Sequence, residues 1–185
     1  STYFYYLAMC DPDHITDRER ALRFAGFYTG ENPRVPNWDS AHSMIRSPIN
    51  GSRGPRFEMS AEDWVTHRHI LADYLTPYED LPGFDSADPL ACADWKNADV
   101  FARILELMNQ RMVPGDVPLN LNATSLIANA YLYTGKEQYR EWITTYLNTW
   151  QKHTDQNNGI MPDNIGPGGL AGELMDGKWW GGYYG

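Results

Sequence analysis

The feature that most constrains the fold is a pair of apolar stripes between residues 118 and 158. In the first stripe Leu121, Ala128 and Leu132 recur at helical spacing after Pro118, a residue suited to the first turn of a helix. Gly135 follows and suits the left-handed position that ends a helix. The spacing predicts helices over 118–134 and 137–154, joined by a short turn as an antiparallel hairpin. The second stripe consists of Tyr139, Trp142, Ile143, Tyr146 and Trp150.

Other periodic segments also favour helices. We expect helices over 2–9, 15–28, 60–74 and 94–112. Alternation typical of strands is not found over a useful length, so the predicted fold is all-α. The expected caps are Asp13 or Thr16 for the second of these helices, Ser60 with Asp63 as a capping box for the third, and Asp94 for the fourth.

Two long segments separate the periodic regions, 31–59 and 157–185. Both are rich in Gly, Pro and Asn. Structureless loops of this length are uncommon in compact domains and are often functional. The sequence therefore directs the search for a site toward these two loops.

Composition argues against several classes of protein. With 15 basic and 24 acidic residues, the formal charge is 15 − 24 = −9, and no basic stripe suggests a nucleic-acid partner. No apolar run approaches the ~18 residues of a membrane-spanning helix. Cys10 and Cys92 make neither a disulfide framework nor a metal knuckle. Phosphate-loop and dinucleotide-binding motifs do not occur either, so we predict no metal and no cofactor.

The two ends of the chain are unusual for a free domain. Residues 1–9 are apolar and aromatic, and residues 178–185 hold four aromatic residues among glycines. Exposed aromatic clusters normally need a partner. We therefore expect residues 1–185 to be a single domain that is part of a larger one, truncated at both ends. The alternative is that the tail folds back onto its own core.

The hairpin and the loop after it carry a family resemblance. The segment Asn120–Tyr139, with Tyr133-Thr134-Gly135 at its turn, resembles the unit of inner helix, turn and outer helix found in (α/α) toroids. The segment 158–166 resembles the loop that leads to the next inner helix. This superfamily includes polysaccharide lyases and glycoside hydrolases. The resemblance implies antiparallel helical hairpins of an incomplete barrel, with long Gly/Pro/aromatic loops around a cleft that binds polysaccharide or oligosaccharide. A secreted or periplasmic location is expected for such an enzyme, although no signal peptide is present in this chain.

Several residues are candidates for binding a sugar chain. Trp179 and Trp180 can stack on sugar rings, since adjacent glycines allow close approach. Asn122 and Asn129 belong to a polar stripe on a helix that is otherwise apolar. The loop 157–176 adds Asp163, Asn164 and Glu173. Arg46 and Arg68 lie in the segment 33–69, whose five arginines and four acids give the chain's one stretch of net positive charge, +1.

Three functions remain open on the sequence. The first is a lyase that cleaves uronate-containing glycans by β-elimination, with His67 or His69 and Tyr183 or Tyr184 as base and acid. The second is a glycoside hydrolase that uses Asp163 and Glu173, with Asp39 as a further candidate carboxylate. The third is a carbohydrate-binding scaffold without catalysis.

Overall fold

The computed structural model describes residues 6–7, 9–47, 50–51, 54–55, 57–64 and 95–180. The α-helices are α1 (Ile15–Gly26), α2 (Ala98–Leu107), α3 (Thr124–Thr134) and α4 (Glu137–Gln156). The strands are β1 (Trp38–Asp39), β2 (Met44–Ile45), β3 (Asn50–Gly51) and β4 (Gly54–Pro55), and the antiparallel pairs are β1 with β2 and β3 with β4. The described residues also form two 3₁₀-helices (Ala61–Trp64 and Pro118–Ala123) and a π-helix (Met108–Met112). The predicted helix-rich class is confirmed.

The hairpin predicted between residues 118 and 158 is present. Gly135 ends α3 with a φ of 61°, the left-handed conformation that allows α4 to fold back. The predicted stripe on α4 is buried at Tyr139, Trp142, Tyr146 and Trp150. The expected first helix differs at its start, because 118–123 form a 3₁₀-helix before α3 begins. A 3₁₀-helix has three residues per turn, so the helical stripe drawn through residue 122 is broken there.

α1 packs against α3. Its buried residues are the small Ala21, Ala25 and Gly26, which allow close approach of the two helices. The helix ends at residue 26, two residues before the predicted end. The predicted caps are not used, since His14 occupies the N-cap without a side-chain hydrogen bond. Residues 6, 7, 9 and 10 are also helical, within or next to the predicted helix 2–9.

α2 begins one turn later than a helix capped at Asp94 would, and Asp94 lies outside the described residues. Asn97 caps it, because its Oδ1 accepts hydrogen bonds from the amides of Asp99 and Val100. The predicted pairing of Ser60 with Asp63 is present, with Asp63 Oδ2 accepting from the Ser60 amide at 2.8 Å. It opens a 3₁₀-helix, and residues 65–74 of the helix predicted there lie outside the described part of the chain.

Two apolar clusters form the core of the described part of the chain. The cluster around α2 contains Met59, Trp95, Phe101, Ile104, Leu107, Met108, Met112 and Val113. The cluster around α3 and α4 also includes Ile45 from the first long loop and Ile165 from the second, both almost fully buried. Both loops are therefore anchored on the same helical hairpin. Among the described residues, no helix has the length and apolarity needed to cross a membrane.

Candidate functional site

The first long loop contains a short hairpin that presents three polar side chains. Trp38 pairs with Ile45 and Asp39 with Met44 across β1 and β2. Ile45 is buried in the core, and the Trp38 ring centroid lies 4.7 Å from that of Trp142 on α4. The hairpin is thus attached to the helices through its apolar residues.

Asp39, His42 and Arg46 form what we call the His42 cluster. Asp39 Oδ2 lies 3.0 Å from Nδ1 of His42 and accepts a hydrogen bond from Arg46 Nη2 at 3.1 Å. Asp39 Oδ1 accepts from the amides of Ala41 and His42 at 2.9 and 3.3 Å. The His42 and Arg46 side chains are 39% and 44% exposed, whereas that of Asp39 is only 11% exposed. A shielded carboxylate therefore orients two accessible groups.

The charge on Asp39 is favoured by these contacts. Partial burial alone would raise its pKa, but hydrogen bonds from His42, Arg46 and two backbone amides outweigh burial and lower the pKa to about 2. A carboxylate beside Nδ1 holds the imidazole proton there, so we assign the Nδ1–H tautomer to neutral His42. Nε2 is then left as a basic nitrogen on an accessible ring. This is the arrangement of a general base oriented by an acid.

A tight turn from the second long loop contacts the His42 ring. Residues 166–169, which we call the glycine turn, close with a hydrogen bond from the Gly169 amide to the Gly166 carbonyl at 2.9 Å. Gly169 has a φ of 77°, and a Cβ built there would lie 2.8 Å from Cδ2 of His42. A residue without a side chain is therefore needed at Gly169 on both conformational and steric grounds.

Asp116 connects the hairpin to the rest of the fold. Its carboxylate is buried and accepts four hydrogen bonds: from the amides of Ile45 (2.9 Å) and Val117 (2.8 Å), from Asn120 Nδ2 (2.9 Å) and from the Tyr146 hydroxyl (3.1 Å). Its backbone exchanges hydrogen bonds of 2.8 Å with Ile165, which precedes the glycine turn. Asp116 therefore contacts both the β1–β2 hairpin that carries the His42 cluster and the segment that leads into the glycine turn.

Burial has a strong effect on this carboxyl. Desolvation raises the pKa of Asp116 to about 7, although the four donors act in the opposite direction. Desolvation, together with the nearby Asp116, also raises the pKa of Tyr146 well above its ordinary range. Burial raises the pKa of Tyr28 to about 12. Neither tyrosine is suited to act as a base near neutral pH.

A comparison with known families identifies the family to which the sequence belongs. All of it, residues 1–185, matches the model described as Domain of unknown function (DUF8034). The chain belongs to this family. No curated protein and no solved structure matches it. Inference about the chemistry of this DUF8034 member therefore depends on its site residues.

Five of the predicted site residues fall outside the described part of the DUF8034 chain. They are His67, Arg68, His69, Tyr183 and Tyr184. Arg46 is described and belongs to the His42 cluster. The predicted Asn stripe is not formed, since Asn122 is exposed on the 3₁₀-helix while Asn129 is 4% exposed and faces the groove between α1 and α3.

The remaining predicted residues lie on the second long loop. Asn164 is buried, and its Nδ2 donates to the Arg111 carbonyl at 3.2 Å, which attaches the loop to the π-helix. Glu173 Oε2 accepts from the Gly168 amide at 2.8 Å and so supports the glycine turn. The amide of Asp163 donates to the Trp179 carbonyl. The rings of Trp179 and Trp180 are 5.4 Å apart, and Trp180 is 41% exposed.

Sequence reasoning missed Asp116 altogether and did not pair Asp39 with His42. The sequence does carry a signal for Asp116, because it is the one acid in the otherwise apolar run 112–119, which indicates a buried carboxylate. Its neighbours Gly115 and Pro118 indicate a turn, where acids are common, and this made it unremarkable. Among the described residues there is no group of three His, Cys, Asp or Glu side chains that could hold a metal ion.

Proposed function

We propose that this domain acts on uronate-containing glycans by β-elimination, with His42 as base and Arg46 as the partner of the substrate carboxylate. The observation that carries the proposal is the Asp39–His42 hydrogen bond of 3.0 Å on an accessible imidazole, with an accessible arginine on the same carboxylate. The pairing supplies a base and a cation within one short hairpin. It also lies in the segment with net positive charge.

The elimination divides into steps that suit these side chains. A guanidinium that binds the uronate carboxylate makes the C5 proton more acidic, and Arg is suited to this because its donors match a carboxylate. His42 Nε2 takes the C5 proton, and the electron pair forms the C4=C5 double bond. The C4–O bond breaks, and the departing oxygen takes a proton from an acid. Tyr183 and Tyr184 are our candidates for that acid.

The architecture that we propose for this activity is an (α/α) toroid. It is supported by the α3–α4 hairpin with its short turn, by the packing of α1 on α3, and by two long loops anchored on one hairpin. Trp180 supports a sugar-chain partner, because an accessible indole can stack on a sugar ring. Under this proposal the described helices form part of an incomplete barrel.

The test is an assay of the purified chain on uronate polymers and on neutral polysaccharides. We expect an unsaturated product that absorbs in the ultraviolet, formed from uronate polymers only. His42→Asn should lower kcat by roughly 10²–10⁴-fold, the usual contribution of a general base. Release of reducing ends without ultraviolet absorbance would replace this proposal with the hydrolase that uses Asp163 and Glu173. The absence of both products would favour the non-catalytic scaffold.

His14 offers a matched control. Its Nδ1 lies 3.0 Å from Asp17 Oδ2, so it forms the same kind of pair as His42 on a different surface. His14→Asn should leave kcat unchanged. If His14→Asn and His42→Asn lower kcat equally, the assignment of the base to His42 is wrong.

A further inference from the structure

The carboxylate of Glu173 lies directly on the glycine turn that contacts His42. Its Oε2 accepts a hydrogen bond from the Gly168 amide at 2.8 Å. A Cβ built at Gly166 would lie 2.5 Å from the same oxygen, and one built at Gly168 would lie 2.8 Å from Oε1. Both distances are too short for a real Cβ, so the carboxylate can lie there because both positions are glycine.

A second tight turn, residues 172–178, holds Glu173 at its start. The Gly177 amide donates to the Gly172 carbonyl at 2.9 Å. Gly172 has a φ of 70°, and a Cβ built there would lie 2.6 Å from the Lys178 carbonyl oxygen. The backbone next to Glu173 is therefore closely packed, and the Glu173 side chain connects this turn to the glycine turn.

The glycine turn borders one edge of the His42 ring. A Cβ built at Gly169 would lie 2.8 Å from Cδ2 and 3.1 Å from Cγ of His42. Cδ2 is bonded directly to Nε2, the nitrogen that acts as base in the proposed elimination. On the opposite edge of the ring, Asp39 Oδ2 lies 3.0 Å from Nδ1. The imidazole is thus restrained on both edges, by a carboxylate at Nδ1 and by the glycine turn at Cδ2.

We propose that Glu173 is a positioning residue for His42, which holds the glycine turn against the ring and so sets the direction of Nε2. The role of Nε2 as a base rests on the proposed function, whereas the orientation of the ring does not. In the alternative hydrolase, the Glu173 carboxyl itself takes part in the reaction. The two roles require different chemistry. Accepting a hydrogen bond from an amide requires only an acceptor oxygen, which Gln also has, whereas glycoside hydrolysis requires a carboxyl group.

The first experiment observes the ring without any substrate. One Hα of Gly169 points along the direction of the built Cβ, so NMR should show a nuclear Overhauser effect between it and His42 Hδ2. Glu173→Ala should remove this effect, and Glu173→Gln should retain it. Both variants should fold, since Glu173 is exposed. The matched control is Glu137→Ala on α4, because Glu137 is an accessible glutamate paired with Arg140.

Glu137→Ala should leave the His42 signals as they are in the parent. The proposal is overturned if the parent shows no such effect, if Glu173→Ala keeps it, or if Glu137→Ala removes it as well. None of these outcomes depends on whether the chain has lyase activity.

The second experiment repeats the assay on uronate polymers. Glu173→Ala should lower kcat by about 10²-fold with little change in KM, since a displacement of about 1 Å at a reacting group can cost that much. Glu173→Gln should restore most of the activity. Equal loss in both variants would overturn the positioning role and assign the carboxyl to the chemistry. If even the parent is inactive while the NMR result is as expected, the elimination proposal fails and the positioning of His42 by Glu173 stands.

Discussion

Replacing Asp116 by Asn gives the most direct test of how the β1–β2 hairpin is attached to the helices. The substitution keeps the shape of the side chain but removes its titration. It also places an N–H₂ group against the Ile45 amide if it replaces Oδ2, or against the Val117 amide, Asn120 Nδ2 and the Tyr146 hydroxyl if it replaces Oδ1. Leaving one buried donor unpaired costs about 1–3 kcal/mol, so the variant should be less stable than the parent in acid.

The pH dependence of that difference follows from the raised pKa. The pKa of Asp116 is about 7 in the folded protein and 3.8 ordinarily, a difference of about 3 units. Between these values the folded chain retains the proton that the unfolded chain has released, so the stability contributed by Asp116 falls as pH rises. The full effect is about 4 kcal/mol at 1.36 kcal/mol per unit. The interval from about pH 4.5 to 7.5 covers about 3 kcal/mol of it.

Urea unfolding of both proteins across that interval measures the effect. The deficit of Asp116→Asn should shrink by about 3 kcal/mol as pH rises. Comparison of the two proteins is needed because burial lowers the pKa of His153, which makes stability rise with pH up to its ordinary value of 6.5. That contribution is common to both proteins and cancels in the difference. Asp39, with a lowered pKa of about 2, is already ionised throughout.

Two outcomes would refute the reasoning. If the deficit stays constant from pH 4.5 to 7.5, Asp116 is ionised in the folded protein throughout and its four donors outweigh desolvation. If the deficit grows with pH, the pKa of Asp116 in the folded protein lies below its ordinary value, and the hydrogen bonds to the carboxylate overcome the effect of burial. Tyr146→Phe serves as a control, because it removes one donor without removing the titrating group.

Three further substitutions test the turn between α3 and α4, the glycine turn and the His42 cluster. Gly135→Ala should cost about 1–2 kcal/mol from its φ of 61° alone, because a Cβ there meets nothing within 4 Å. Gly169→Ala should cost more than Gly135→Ala in the same urea experiment, because its Cβ also meets the His42 ring at 2.8 Å; equal costs would contradict that contact. Asp39→Asn should lower kcat on uronate polymers by about 10²-fold or more through loss of the Nδ1–H tautomer, and an effect confined to KM would argue against a base at His42.

The parts of the fold that sequence predicts are those set by local periodicity. The α3–α4 hairpin follows from apolar spacing and Gly135, since each signal lies within a few turns of the residue that it places. The 3₁₀-helix at 118–123 could not be predicted in this way. Asn122 and Asn129 are seven positions apart, a spacing that fits one face of a continuous α-helix, so the sequence pattern did not indicate a change of helix type. The hairpin β1–β2 was also missed, since two-residue strands carry too few positions to show alternation.

The site depends on contacts that periodicity does not encode. Asp116 is joined to Ile45 across 71 positions and to Tyr146 across 30. The pairing of Asp39 with His42 spans only three positions, but it requires the loop conformation that Ile45 and Trp38 impose by packing on the helices. The sequence therefore indicated that the loop 31–59 is a candidate for function. The pairing of Asp39 with His42 could be found only in the structure.

Burying a carboxylate costs folding free energy. The contacts of Asp116 explain why an apolar residue at this position would not make the fold more stable. Replacement by Leu would leave two backbone amides, one N–H of the Asn120 amide and the Tyr146 hydroxyl buried without acceptors, at about 1–3 kcal/mol each. The other N–H of Asn120 would keep the Ile45 carbonyl. Only a group with several lone pairs can accept from a loop, a turn and a helix at one point. The same residue is bridged through its backbone to Ile165 and so to the glycine turn that contacts His42. The geometry of the accessible His42 cluster is therefore supported by a carboxyl group that is itself buried.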